Sequence, residues 1–510
     1  MRIRYPTALA MLGALGVAGL HFFSFPYRDQ AIVSDVRYFV HFAQRTAHGG
    51  VIYRDFFDPK TPLATWAGAL LHAVGERIGI DPLLAIRAGY LALAAATALV
   101  ACALQRRLAG GRTICGLLAL GPQLGFLLLG VMPAIGNIPK LLMVLFAGVA
   151  ALGVARGAWV IAGIATALSF LDWQIGALVG AGVLVAALFE TGRERVRGLS
   201  AAALGLAIGL APAALYLGAH DALGTALRQT TFAAAARERA TAARRSFRED
   251  WPRRFQLIHT GCGGAEWALL LSLAGIPGFA LTVRRVRHLP QERRAVAVAG
   301  IYHAGILAVS ARELQGFGDL FALLHTGAFL SGAALSELWL AGERFSGAEG
   351  SPALRRFGRP ACGVAVLLAV VVARPWASRA TARLATPTAS VAVRLADQER
   401  VARELHAHLA GDRVAYLGPT EIAFLDGASS VSPCVYWNPA VYGYFRASPE
   451  ESPSQTLDRI LIGAGATVVI TDRVGAVPLG PSWIHEPVTP AQAMSLYGVS
   501  VYRRQELLTR

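Results

Sequence analysis

The chain has 510 residues, of which 55% are hydrophobic and only 16% are charged, and its mean hydropathy is +0.47. That is too apolar for a soluble globular protein of ordinary composition, so lipid must be the main solvent. The formal net charge of +16 does not point to nucleic acid, because the Arg residues fall mostly in short loops between apolar runs, which is a membrane-orientation pattern.

Apolar stretches of about 17–25 residues, each long enough to cross a hydrocarbon core of about 30 Å as a helix, recur over the first three-quarters of the sequence. The first, Tyr5 to Phe23, follows Arg2 and Arg4. It lacks a persuasive small-residue cleavage site and reads as a retained helix, not a signal peptide. Runs at 62–80 and 82–104 precede the basic cluster Arg106, Arg107 and Arg112. Short basic loops belong in the cytoplasm, so an even number of spans must separate the N-terminus from Arg106. The run 62–80 contains Trp66, His72, Glu76 and Arg77. A charge at mid-membrane costs about 2.5–3.5 kcal/mol, so this run is expected to lie as a helix in the outer interface.

Further spans are expected near 113–131, 139–154, 158–171, 174–189, 199–218, 265–283, 295–310, 318–341 and 360–374, giving about eleven transmembrane helices. The run between Arg156 and Glu190 reads either as two short helices broken at Asp172 or as one tilted helix. One helix would invert everything after it. With two, the loop 25–62, the long loop 219–264 and the C-terminal region share the outer side. The long loop carries Arg228, Arg237, Arg239, Arg244, Arg245, Arg248, Arg253 and Arg254. It reads as an amphipathic helix, Thr225 to Glu249, on anionic headgroups, or as a basic wall for a lipid phosphate.

From about Arg374 the pattern turns mixed and soluble-like. Ala389 to Ala410 reads as an amphipathic helix, 413–417 as a strand, Leu457 to Ala464 as a helix and Thr467 to Thr471 as a buried strand. Alternating helix and strand imply a small α/β domain with a partly parallel sheet. The chain thus divides into a membrane domain, 1–375, and an extracytoplasmic α/β domain, 376–510. Gly463-Ala-Gly465 precedes its strand and is no phosphate-binding fingerprint. The five cysteines show neither metal-ligand spacing nor a disulfide framework.

The polar segment 25–66 holds Asp29, Asp35, Asp55 and Asp58 beside Arg28, Arg37, Arg45, Arg54 and Lys60. Residues 34–47 have helical periodicity, with Val36, Phe39, Val40 and Ala43 on one side, a Ser34 cap and a Gly49-Gly50 stop. Thr61-Pro62 opens the interfacial helix. Only two of the 48 basic residues are lysines, Lys60 and Lys140.

This segment resembles the GT-C polytopic glycosyltransferases, in the branch of protein O-mannosyltransferases and the lipid A aminoarabinose transferase. Those proteins carry an acidic motif after the first helix, a small-residue turn, then Tyr-Arg-Asp-x-(Phe/Trp)-(Asp/Glu)-x-Lys-x-Pro-(Leu/Pro). The matching residues here are Asp35, Tyr38, Gly49, Tyr53, Arg54, Asp55, Phe57, Asp58, Lys60, Pro62 and Leu63. The resemblance extends more loosely to Pro139-Lys140 and to Leu171-Asp172-Trp173-Gln174.

The resemblance implies a bacterial inner-membrane enzyme moving a hexosyl or pentosyl group from a polyprenyl-phosphate sugar to an extracytoplasmic lipid, glycan or protein. It assigns the general base to Asp35 and the donor phosphate contact to Lys60. Many relatives carry two adjacent acids where this chain has Ser34-Asp35, which leaves Asp29 as the alternative base. Tyr53, Arg54, Asp55 and Asp58 either hold the loop together or contact substrate or a divalent metal, and no cofactor is implied with certainty. Lys140 either contacts substrate or anchors a helix end. Arg312, with Glu313 and Gln315, lies in an expected outer turn facing the same cavity, whereas His325, Asp172 and Gln174 read as packing residues. The rival readings are a lipid-linked-sugar transporter and a non-catalytic membrane scaffold; transporters carry charges in mid-span, and here the polar residues gather in outer loops.

Overall fold

The computed structural model describes residues 16, 27–32, 35–126, 128–136, 139–231, 247–261, 266–314, 317–346, 352–385, 395–437, 439–472, 477–486 and 499–508. The expected first helix apart from residue 16, the Ser34 cap, Gln315 and residues 232–246 of the expected helix Thr225 to Glu249 lie outside them.

Four described helices are long and apolar enough to cross a membrane: Pro82–Leu108, Gly192–Ala219, Pro290–Arg312 and Asp319–Phe345. The first begins where Asp81 accepts the Leu84 N–H at 2.8 Å and Pro82 takes the first helical position, both of which satisfy or remove orphan donors. It stops before Gly110 and Gly111, both at positive φ, a conformation that glycine adopts without strain.

One expected span, 113–131, differs in structure from a single rod, while the two short helices expected on either side of Asp172 are present. Residues 113–135 form three short helices, Thr113–Leu118, Leu120–Gly125 and Leu128–Ile135. Pro122 and Pro133 each lack the N–H a continuous helix needs. The apolar run 156–190 is two helices, Trp159–Asp172 and Ala177–Leu188, joined by an extended Trp173 and a 3-10 turn Gln174–Gly176. The break has a purpose in the packing. The Asp172 carboxylate accepts the backbone N–H groups of Lys140 and Met143, both at 2.8 Å, and so caps the helix Leu141–Ala155 from a neighbouring helix.

Two shorter helices, Val36–Ala47 and Leu63–Ile78, pack against each other, and the second of them packs onto Pro82–Leu108. The composition break at 375/376 falls inside the helix Pro352–Ala385. After it comes a four-stranded sheet of β1 (Val414–Leu417), β2 (Val468–Thr471), β3 (Trp483–Glu486) and β4 (Ser500–Arg504), in the order β1-β2-β4-β3. The β1 and β2 strands are parallel, and the other pairs are antiparallel. Its core includes Leu405, Tyr416, Ile422, Ile470 and Val501.

This C-terminal unit docks on the polar segment through backbone as much as side chains. Phe57 N–H donates to the Pro433 carbonyl at 2.6 Å, and the Gln398 amide brackets both backbone groups of Ile32, at 2.7 and 2.9 Å. Gln44 and Arg45 reach the carbonyls of Phe424 and Ser432, and Arg37 pairs with Asp472 at 2.7 Å.

Candidate functional site

The loop between the helices Val36–Ala47 and Leu63–Ile78 is a wound structure whose polar groups satisfy one another. It leaves the first helix through Gly49 at φ 90. A Cβ on Gly50 would come within 2.8 Å of the Arg45 carbonyl oxygen, so this tight exit needs glycine. Tyr53 is buried at φ 72, an uncommon conformation for an aromatic residue, and its hydroxyl donates to the Lys60 carbonyl at 2.6 Å. The Asp55 carboxylate accepts the Val51 N–H at 2.7 Å and the Arg54 Nε–H at 2.8 Å. The hydrogen bond from Arg54 pulls the Asp55 carboxyl below the usual range, and the Val51 N–H adds to it against the cost of burial.

Asp58 is the most enclosed acid of the loop, at 1% exposed. One oxygen accepts the Lys60 N–H at 2.9 Å; the other is buried with no hydrogen-bond partner among the described residues. Burial pushes this carboxyl up to about 6, against the opposing charge of Lys60. The Asp58 N–H donates to the Gln229 side-chain oxygen at 3.0 Å, and the Gln229 amide donates to the Tyr53 carbonyl at 3.1 Å. Thus a residue of the distant 219–264 segment stitches this turn together.

The two lysines of the chain meet at one ring. Lys60 Nζ lies 5.4 Å from the Trp173 ring centroid and 4.4 Å from that of Phe39. Lys140 Nζ lies 4.3 Å from the same Trp173 ring, a cation–π geometry in both cases. Three consecutive residues organise this. Asp172 caps the Lys140 helix, Trp173 carries the ring, and the Gln174 amide donates to the Pro59 carbonyl at 3.3 Å. Lys140 itself takes φ 86 at the cap position, and its ammonium pairs with Asp319.

Asp35 is exposed at the N-terminal end of Val36–Ala47, where its carbonyl accepts the Tyr38 and Phe39 N–H groups at 3.1 and 3.4 Å. It lies four residues, one helical turn, before Phe39, the residue under Lys60. Tyr436 of the C-terminal unit completes the wall: its ring is 5.3 Å from that of Tyr38, and its buried hydroxyl has no hydrogen-bond partner among the described residues. Burial raises this phenol well above its ordinary value, and the charges of Asp58 and Asp35 raise it further.

Asp29 belongs to a different turn. Its carbonyl accepts the Leu395 N–H at 3.0 Å. The turn is held by the buried Arg87, which donates to the carbonyls of Tyr27, Gln30 and Ile135 at 2.6, 2.5 and 2.9 Å. Arg312 is exposed at the end of its helix, and its carbonyl accepts from Arg254 at 3.3 Å; no contact described joins its side chain to either lysine. In its place stands Asp319, the acid that pairs with Lys140. His325 is buried, its ring 6.2 Å from that of His303.

Sequence reasoning did not single out Asp319, Gln229, Tyr436 or Arg87. An acid in the first turn of an apolar helix, as at Asp319, was the one local signal available; the others carry none.

No family model matches the sequence, and no curated protein sequence does. Solved structures match over almost the whole chain. A crystal structure of ArnT from Cupriavidus metallidurans bound to undecaprenyl phosphate has a TM-score of 0.60 at 15% identity, covering 96% of this chain and 97% of that one. Its apo state gives 0.54 over the same shares. The chain has the GT-C fold. An oligosaccharyltransferase of Archaeoglobus fulgidus, of the same GT-C superfamily, matches with a TM-score of 0.50 at 11% identity, over 90% of this chain and 67% of that one. In this fold the polar loop sits between the helical bundle and the sheet of the C-terminal unit.

Proposed function

We propose that this protein is a membrane glycosyltransferase that moves a hexosyl or pentosyl group from a polyprenyl-phosphate donor to an acceptor hydroxyl on a lipid, a cell-envelope glycan or a protein. The observation that carries the reading is the meeting of Lys60 and Lys140 at Trp173, within a GT-C fold, with Asp35 one helical turn before Phe39, whose ring Lys60 also faces. The similar ArnT structure holds undecaprenyl phosphate, which supports a lipid phosphate as the donor's leaving group.

In this mechanism the acceptor oxygen attacks the anomeric carbon. Asp35, exposed and close to the loop, takes the hydroxyl proton as the new C–O bond forms. The bond from the anomeric carbon to the phosphate oxygen breaks, and polyprenyl phosphate leaves with the electron pair. Lys60, a mobile point charge between two aromatic faces, neutralises that phosphate. Lys140, already balanced by Asp319, shapes the far side of the same pocket. Tyr53, Arg54, Asp55 and Asp58 keep the loop wound, and Asp29 and Arg312 serve outside the reacting centre.

The chain is assigned to a bacterial inner membrane with about eleven spans, with the loop 25–62, the loop 219–264 and the domain 376–510 outside the cytoplasm and 1–375 forming the membrane domain. Reporter fusions at Gly49 and Arg106 test this; a common side for both overturns it. The activity is tested by following polyprenyl phosphate release from polyprenyl-phosphate sugars with a panel of acceptors. Transfer undiminished in Asp35→Asn would sink the catalytic assignment, and loss of transfer in Asp29→Asn with Asp35→Asn unaffected would move the base to Asp29.

A further inference from the structure

A second group of donor side chains sits at the base of the same loop. His72 and Glu76 are four residues apart on the helix Leu63–Ile78 and so share a face. His48 is the residue at which the partner helix Val36–Ala47 ends. His48 Nε2 is 3.0 Å from one Glu76 oxygen, and His72 Nδ1 is 3.6 Å from the other. One donor atom from each of the three lies within 4.8 Å of the others, and the two rings meet edge to face with centroids 5.4 Å apart.

A simple surface ion pair explains His48 and Glu76 but not His72. That ring is 2% exposed, and its Nδ1 has no hydrogen-bond partner among the described residues, whereas buried polar atoms are ordinarily bonded. It is wedged against Phe424 of the C-terminal unit, with centroids 5.8 Å apart, and cannot turn to water without disturbing that contact. A buried nitrogen aimed at a carboxylate, with a second imidazole alongside, is a ligand set lacking its centre.

The spacing fits a small cation. Donors about 2.0–2.1 Å from a tetrahedral zinc lie about 3.4 Å from one another; His48 and His72 stand 3.0 and 3.6 Å from separate oxygens of Glu76, and a set of one donor from each residue lies within 4.8 Å. Two imidazoles with one carboxylate suit zinc, while magnesium and calcium favour oxygen ligands alone. His48 and Glu76 are each 44% exposed at the side chain, which leaves an entry route and a fourth position for water.

We propose that His48, His72 and Glu76 bind a zinc ion that fastens the end of the helix Val36–Ala47 to the helix Leu63–Ile78. The ion closes the base of the loop carrying Lys60 and braces the face on which Phe424 rests. It acts on the loop's position and touches no reactant.

The test uses the full-length protein purified in detergent, stripped with a chelator and re-equilibrated with zinc. Elemental analysis should find about one zinc ion per chain, thermal unfolding should move up with zinc as for any ligand of the folded state, and cobalt substitution should produce the intense visible bands of a tetrahedral site. His48→Ala and Glu76→Gln alter exposed side chains and should leave the fold intact, so they are preferred over His72→Ala. Each should weaken zinc binding by about 10–100-fold or more and abolish both the thermal shift and the cobalt bands. Zinc content and thermal shift equal in wild type and both variants, or magnesium matching zinc in the shift, would overturn the proposal.

Discussion

Replacing Lys60 by Met separates the charge of this residue from its place in the loop. The Lys60 backbone is held without its side chain, by the Asp58 carboxylate at its N–H and the Tyr53 hydroxyl at its carbonyl. The turn should therefore survive. The ammonium faces the rings of Phe39 and Trp173 at 4.4 and 5.4 Å, contacts of about 0.5–1 kcal/mol each at a partly exposed site. A methionine sulfur recovers a similar amount against aromatic rings, about 0.3–1.5 kcal/mol. The net stability change should stay within about 1 kcal/mol, a shift of a few degrees at most. A charge-assisted hydrogen bond to the leaving phosphate, by contrast, contributes about 1.5–3 kcal/mol, which is about 10- to 150-fold in kcat/KM. Release of polyprenyl phosphate, measured beside thermal unfolding in the same detergent, distinguishes the two. Turnover close to wild type, or a loss that simply follows a fall in Tm, would refute the reasoning.

Three further outcomes are expected besides zinc binding at His48, His72 and Glu76. Asp35→Asn should lower kcat by about 10²–10⁴-fold, as removal of a general base does, with little change in Tm because Asp35 makes no side-chain cap bond; equal turnover would move the role elsewhere. The Asp58 carboxyl is pushed up to about 6 from 3.8, so its contribution to stability is full below about pH 4 and is lost as pH rises through about 6, roughly 3 kcal/mol in total. Asp58→Asn keeps an acceptor for the Lys60 N–H and should unfold at a higher temperature than wild type above about pH 7 but not below about pH 4; a wild type that gains more stability than the variant on this rise would contradict it. Glu421, on the helix Thr420–Leu425 of the C-terminal unit, is buried and burial pushes it up to about 7, with Arg37 opposing. Its stabilising contribution is full below about pH 4.5 and is lost as pH rises through about 7, so protease release of the C-terminal unit should quicken between about pH 4.5 and 7 in wild type and stay level in Glu421→Gln.

Much of the architecture was legible because hydropathy is a local property. The run 82–104 became Pro82–Leu108, and 199–218 lies within Gly192–Ala219. The choice at Asp172 was visible as a polar interruption, but not its reason, since the carboxylate serves the start of another helix. The strands β3 and β4 went unseen. They read WIHE and SVYRR, without the apolar alternation that marks a half-buried strand, and their place is set by pairing with β2 and each other.

By itself the sequence determined that the chain lives in lipid, where its polar loop interrupts that pattern, and that its lysines are two, because composition and periodicity are written residue by residue. Only the tertiary structure decided that both lysines share Trp173, that Gln229 and Tyr436 close around Asp58, and that His48 faces His72 and Glu76. These contacts join segments far apart along the chain, and their energy comes from side chains packed across helices, for which neighbouring residues carry no signal.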